Sequence, residues 1–191
     1  MNQDNNQSLN EKINKLVLCI QDGDKDAFSE LYDILINPLY RYLYFSIDRS
    51  NIDDVAMTIF IKVWEKISKY NVKKDASFKA WFFRLAKNTV IDFYRSNKIT
   101  YELPEYMPDT SNHNNPEFQI KETLKQEKLK FCISKLNENY RHFLNFKFLN
   151  ELSNKEIAEI LKKRESSLRV LQYRSLAALK KVIEENGGID S

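Results

Sequence analysis

Three glycines, Gly23, Gly187 and Gly188, are all that 191 residues contain, where ordinary usage of ~7% predicts about thirteen. That shortage excludes the glycine-rich phosphate cradles, because a Walker loop and a dinucleotide fingerprint each need several glycines at fixed spacing. Four prolines are also few for a sheet-rich chain, which needs frequent turn formers. Two histidines (His113, His142) and two cysteines (Cys19, Cys132) offer no usual Cys/His zinc spacing, so no metal is expected. The cysteines stand far apart without flanking partners, which suits a reduced cytoplasmic protein. Met1 to Ile20 is polar and asparagine-rich, without a signal-peptide pattern. No apolar run approaches the ~20 residues of a membrane span. The expectation is a cytoplasmic protein with no cofactor and no membrane partner.

Charge is present in quantity and is sorted along the chain. Residues 1–61 carry 5 Lys/Arg against 10 Asp/Glu, and residues 62–100 carry 10 against 3. Residues 101–120 hold four acids and no cation, and residues 121–185 carry 15 cations against 9 acids. Two basic modules around an acidic spacer suggest a polyanion touched twice, with a different partner for the acidic start. Solvated helix faces of alternating sign would not sort charge into such blocks.

Hydrophobic residues make up 42% of the chain, and their spacing is helical. Ser8-Leu-Asn-Glu11 reads as a capping box opening a helix through Ile20. A second helix starts near Asp24, and Asn37-Pro38 should kink or break it. Ile52, Val55, Ala56, Ile59, Phe60, Val63, Trp64 and Ile67 form an unbroken amphipathic period. A fourth helix spans roughly Ser77 to Asn97. Residues 99–116 lose the pattern and read as an extended or disordered acidic linker. Further helices are expected from Pro116 to about Leu136 and from Glu138 to Leu149. Another runs from the capping box Ser153-Asn-Lys-Glu156 to Leu161, and the last from Ser166 to a cap at Gly187-Gly188. The fold class is all-α: two small helical domains joined by a flexible acidic linker, the second ending in a helix-turn-helix.

Two constellations carry chemistry. On the fourth helix, Phe78, Phe82, Leu85, Ala86, Thr89 and Phe93 share a core-facing arc. Trp81, Arg84, Asn88, Asp92 and Arg95 follow a neighbouring flank. An aromatic ring, two guanidiniums and an amide on one stripe suit base stacking and phosphate holding, and Lys69, Tyr70, Lys73 and Lys74 add a basic, aromatic loop just upstream. On the last helix, Leu168, Leu171, Ser175, Ala178, Leu179 and Val182 form one face. The opposite face shows Ser166, Arg169, Val170, Tyr173, Arg174, Ala177, Lys180 and Lys181, four cations and no acid. A capped helix, the short connection Lys162-Lys163-Arg164-Glu165 and a basic helix make the helix-turn-helix arrangement, whose second helix enters a major groove. A helical hairpin with a solvated cationic face is the plainer alternative. Catalytic constellations are absent: adjacent Asp53-Asp54 point ~100° apart on a helix and cannot act as a carboxylate pair. They suit the first turn of the helix following Ser50. His142 lacks a nucleophile partner and suits a helix interface, so no enzyme is expected.

The same residues resemble the extracytoplasmic-function class of bacterial sigma factors, promoter-recognition subunits of RNA polymerase. Gly23-Asp24 to Leu39-Tyr40-Arg41-Tyr42 resembles that family's opening pattern. Asp53-Asp54-Val55 with Phe60-Ile61-Lys62-Val63-Trp64 resembles its polymerase-clamp helix, and Phe78 to Asn88 with Asp92 and Arg95 its melting helix. Glu156 to Leu161 and Leu168 to Arg174 resemble its upstream-element helix-turn-helix. The likeness covers about residues 20–98 and 121–182. It implies a core-binding and melting domain at 8–98, a linker at 99–116 and an upstream-element domain at 117–185. The implied polymerase contacts are Asp53, Asp54, Met57, Phe60, Ile61 and Trp64. The implied downstream-element contacts are Tyr70, Lys73, Lys74, Phe78, Trp81, Arg84, Asn88 and Arg95. The implied upstream contacts are Arg164, Ser166, Ser167, Arg169, Val170, Tyr173 and Arg174. Implied partners are the clamp and flap of core RNA polymerase, promoter DNA both duplex and single-stranded, and an anti-sigma factor. Met57-Thr58 replaces a usual Gln-Glu, and Lys162 stands where the turn usually carries glycine. A stand-alone helix-turn-helix regulator is the rival reading; it explains the last helix but not the stripe at 78–95.

Overall fold

A computed structural model describes residues 2–71, 77–96 and 124–188, with side chains from Ser8 in the first stretch and from Gln126 in the third. Among the described residues every regular element is helical. Helix α1 (Asn2–Gln21) runs through the Ser8 box instead of starting there, because the polar turn before Ser8 is already helical. Ile13, Val17 and Ile20 bury its inner stripe, and the Gln21 amide donates to the Ile67 and Tyr70 carbonyls at 2.8 and 2.9 Å. Gly23 turns the chain at a φ of 101°, a left-handed state that suits glycine. Asp24 Oδ1 then accepts from the Asp26 and Ala27 amides and caps α2 (Asp26–Tyr44).

Helix α2 continues through Pro38 without a break. Proline removes one backbone bond and crowds the preceding turn, at roughly 3 kcal/mol. Leu35, Leu39, Tyr42 and Leu43 are all buried around it, and each contributes about 1.5–3 kcal/mol, so packing wins over the break. Helix α3 (Ile52–Lys66) buries Ile52, Val55, Ala56, Ile59, Phe60 and Val63, as its period requires, but leaves Trp64 half-exposed. Helix α4 (Phe78–Ser96) is capped by Ser77 Oγ, which accepts from the Ala80 amide at 3.0 Å.

The second half comprises α5 (Leu124–Ser134), α6 (Glu138–Leu144), α7 (Asn154–Leu161) and α8 (Glu165–Glu185). The expected helix start at Pro116 and the acidic linker fall outside the described residues. Asn137 caps α6 by accepting from the Tyr140 amide at 3.0 Å. The expected helix from Glu138 to Leu149 widens at Asn145–Leu149 into a π-turn. There the Asn145 amide group donates out of the helix to the Tyr42 carbonyl at 3.0 Å. Both hydrogen bonds of the Ser153–Glu156 capping box form. Lys162 adopts φ 52° and ψ 45°, the left-handed turn expected of a glycine there, and α8 follows.

The halves share a core. The Phe83 ring of α4 lies 5.9 Å from Tyr42 of α2 and 5.7 Å from Phe146 of the π-turn, and Tyr42 stacks on Phe146 at 5.2 Å. Polar contacts flank this stack. The Ser77 hydroxyl donates to Glu156 Oε1 at 2.5 Å, and Arg84 donates to Glu159 Oε1 at 2.8 Å. Helix α7 therefore lies against α4 along the flank that carries the proposed nucleic-acid stripe.

Candidate nucleic-acid interface

Helix α8 presents its basic face to solvent. Arg164, Ser166, Ser167, Arg169, Val170, Tyr173 and Arg174 are all exposed, and Tyr173 is 77% exposed. Buried Leu168 and Ser175 hold the opposite face, with Leu171, Ala178, Leu179 and Val182 packed against the core. The side chains that could meet base edges thus stand together on one helix, with their orientation fixed from below. Farther along, Lys180 and Lys181 form exposed i,i+4 pairs with Glu184 and Glu185 at 3.7 Å.

On the first half, a cleft of about 500 Å³ separates α3 from α4, lined by Lys62, Lys66, Lys69, Trp81, Arg84, Leu85, Asn88, Thr89 and Asp92. Trp81, Arg84 and Asn88 are brought together in its wall, as the helical spacing predicts, and Arg95 is exposed one turn beyond Asp92. Tyr70 and Phe78 occupy a different place. Both are buried, and their rings pack edge-on at 5.0 Å with Trp81 5.5 and 5.1 Å away. They support the indole from beneath instead of facing the cleft, so a base stacked there would meet Trp81 and not Phe78. Lys73 and Lys74 lie outside the described residues. Arg84, expected as a phosphate holder, is engaged by Glu159 in this arrangement. Lys62 and Lys66 were not singled out from the sequence, although their i, i+4 spacing with Lys69 at i+7 was the signal.

A second groove, of about 430 Å³, runs between α2 and α3 and is mostly apolar, with Phe28, Tyr32 and Ile36 facing Met57, Ile61 and Trp64. Met57, Ile61 and Trp64 are 68%, 53% and 48% exposed. Phe60 differs from its neighbours: it is buried, in contact with Tyr32 and Phe82, and forms the floor. Asp53 accepts from the Tyr40 hydroxyl at 2.5 Å at one end of the groove, beside exposed Asp54.

Electrostatic perturbation concentrates where the halves meet. Burial lowers the His142 pKa, against the raising influence of Glu138 Oε1 at 3.3 Å, with the nearby positive charges of Lys87 and Arg141 lowering it further. The hydrogen bond from His142 holds the Glu138 carboxyl below its usual range. Burial also lowers the Lys79 pKa, partly offset by Glu156 and Glu151. Among the described residues no cluster of His, Cys, Asp or Glu could hold a metal ion, and no helix is long and apolar enough to cross a membrane.

The family model of Sigma-70 region 2 matches residues 28–99, and that of Sigma-70 region 4 matches residues 126–179. The chain is 26% identical over 178 residues to the ECF RNA polymerase sigma factor BldN of Streptomyces coelicolor, covering 92% of this chain and 67% of that protein. It is also 26% identical over 189 residues to the ECF RNA polymerase sigma factor SigW of Bacillus subtilis, covering 91% and 97%. This chain belongs to the extracytoplasmic-function sigma factors. The fold agrees: CnrH, solved with the cytosolic domain of CnrY, superposes on this sigma factor with a TM-score of 0.70 at 19% identity, over 94% of this chain and 99% of CnrH. The sigma factor RpoE of Bartonella quintana, solved with the anti-sigma factor NepR, gives a TM-score of 0.64 at 16% identity, over 84% and 98%. The α3–α4 cleft and the α2–α3 groove of this sigma factor fall within the region 2 match, and most of α8 falls within the region 4 match.

Proposed function

We propose that this sigma factor binds core RNA polymerase, directs it to specific promoters and assists strand opening, with a separate surface for each task. Residues 8–98 dock on the polymerase clamp through the Met57–Ile61–Trp64 groove, with Asp53 and Asp54 at its end and Phe60 as its floor. Residues 99–116 connect the halves. Residues 117–185 sit near the flap and read the duplex upstream element with the exposed face of α8. Trp81 and Asn88, with Arg84, Arg95, Lys73 and Lys74, receive unpaired bases and their phosphates at the downstream element. Each stacked base contributes ~1–3 kcal/mol toward keeping the strands apart.

The observation that carries this reading is the second nucleic-acid surface. A stand-alone duplex-binding regulator needs α8, but has no use for an aromatic and cationic cleft on the other half of the chain. Because Arg84 donates to Glu159, a phosphate that takes that N–H must displace the Glu159 carboxylate. The likeness to RpoE, solved with an anti-sigma factor, supports an anti-sigma factor as a further partner.

The test is Asn88→Ala. Polymerase binding and affinity for the duplex upstream element should stay nearly unchanged, while open-complex formation falls. Permanganate reactivity of unpaired thymines reports the opening directly. A pre-melted bubble template should restore transcription, since the unpairing cost is then removed. Normal melting by the variant, or a defect that the bubble does not rescue, would rule out strand capture.

A further inference from the structure

The second half carries an excess of cations, yet it sets carboxylates against the first half. On α7, Glu156 Oε1 accepts from the Ser77 hydroxyl at 2.5 Å, and Glu159 Oε1 accepts from Arg84 at 2.8 Å. These two acids stand at i and i+3, so they share one face of α7, and both meet α4. Burial lowers the pKa of Lys79, but Glu156 and Glu151, both from the second half, favour its charged form. At the far edge of the shared core, Glu127 of α5 lies 3.7 Å from Arg49. Lys130 joins it there, with its ammonium 4.2 Å over the Tyr44 ring. The Arg84 and Glu159 side chains are 30% and 22% exposed, so salt screens the pair less than it would in open solvent. Arg169 and Tyr173 of α8 and Met57 and Ile61 of α3 stay exposed in the same arrangement.

We propose that Glu159, seconded by Glu156, is a self-inhibitory latch: its carboxylate stands in for a nucleic-acid phosphate on Arg84 and ties the halves of the free chain together. This rests on the strand-capture reading, which gives Arg84 its phosphate. A guanidinium presents the same planar fork to carboxylate and to phosphate, so the two compete for one set of donors. The latch covers the α4 flank and leaves the α2–α3 groove and the α8 face open. It therefore acts on strand capture and spares duplex reading. Linkage makes the effect reciprocal: whatever favours parted halves raises affinity for a strand at Arg84, and that strand favours parted halves by the same factor. Glu156 also closes the Ser153 box of its own helix, so Glu159 is the residue whose loss tests the latch cleanly.

The experiment uses the full chain, with donor and acceptor dyes on exposed Cys19 of the first half and on Lys163→Cys of the second, Cys132 being buried. Loss of energy transfer in urea reports parting of the halves. Unlabelled protein is titrated in parallel into a dye-labelled single-stranded DNA oligonucleotide of mixed sequence and followed by anisotropy. Glu159→Gln and Arg84→Gln should each lower the urea midpoint. Their double variant should fall no further than either alone, because both break one pair. Glu159→Gln should bind the oligonucleotide several-fold more tightly than the parent. Glu165→Gln, which removes the same charge from the exposed start of α8, should change binding little. Midpoints that stay at the parent value, or losses that add in the double variant, overturn the latch and leave strand capture standing. Lowered midpoints without tighter binding by Glu159→Gln, or with an equal gain from Glu165→Gln, overturn the masking of DNA. A gain that persists in the double variant with Arg84→Gln removes the phosphate from Arg84 and so overturns that part of the strand-capture reading.

Discussion

Lys162 holds a backbone state that disfavours any residue with a Cβ, at roughly 1–2 kcal/mol. Its φ of 52° closes α7 and aims α8, so the turn keeps a glycine geometry without a glycine. Lys162→Gly removes that strain but adds unfolded-state freedom of about 0.5–1 kcal/mol. The difference is a net stabilisation of between about 0 and ~1.5 kcal/mol in urea denaturation, with an unchanged slope; a net loss would show that the turn is not strained. His142 raises a different residue-scale question, because burial lowers its pKa in the folded state. Glu138 and Arg141 on α6, Lys87 on α4 and the Tyr42 hydroxyl on α2 face it. A histidine whose folded pKa is depressed favours folding fully above its unfolded value of ~6.5, and that contribution is lost as pH falls below it. Glu138, also depressed, loses its contribution at lower pH, as its own folded pKa is passed. Melting temperature should therefore drop as pH falls below ~6.5, and His142→Gln should flatten the drop. An equally steep fall in the variant would assign it to other groups.

Elements with a complete apolar stripe were legible in the sequence, and elements governed by a distant contact were not. Helices α3 and α8 announce themselves by period, because burying one face decides both conformation and orientation. A break at Pro38 and a helix start at Ser8 fail for a common reason: each is a local signal of modest strength, overridden by buried neighbours on α2 or by helical residues before the box. The π-turn at Asn145–Leu149 depends on the Asn145 bond to Tyr42, more than a hundred residues upstream, which no local pattern contains. The separation of the groove from the cleft around α3 was half legible; the apolar edge was evident, the lysine edge overlooked. For α8 the prediction concerns two positions on one helix. Arg169→Ala should cost about 1–3 kcal/mol on the preferred duplex and relax specificity at one base pair. Lys180→Ala should weaken all sequences alike and reduce the salt slope by about 1. Competition binding against single-base variants of the site separates the two, and uniform loss from Arg169→Ala would demote it to a phosphate contact.

At the scale of the whole molecule, charge segregation pointed to two modules, yet the described residues join them through a common core. The reason it escaped sequence reading is visible at Phe83. It lies off the core-facing arc of its own helix, and its burial comes from Tyr42 and Phe146 on other elements. Such packing couples the stability of the halves, and the two tryptophans make the coupling measurable. Trp64 and Trp81 both belong to the first half, so tryptophan fluorescence follows that half alone, whereas far-ultraviolet circular dichroism follows both. Phe146 is fully buried on the second half, and Phe146→Ala should cost about 3–5 kcal/mol by leaving a cavity against Tyr42 and Phe83. If the shared core holds in solution, the fluorescence transition should move to lower denaturant together with the circular dichroism transition, although no tryptophan was touched. If the halves are independent, fluorescence should stay where it was and the dichroism curve should split in two. Parting the halves would then need no partner. Under coupled unfolding, any arrangement that separates Tyr42 and Phe83 from Phe146 must draw its free energy from binding to polymerase and DNA.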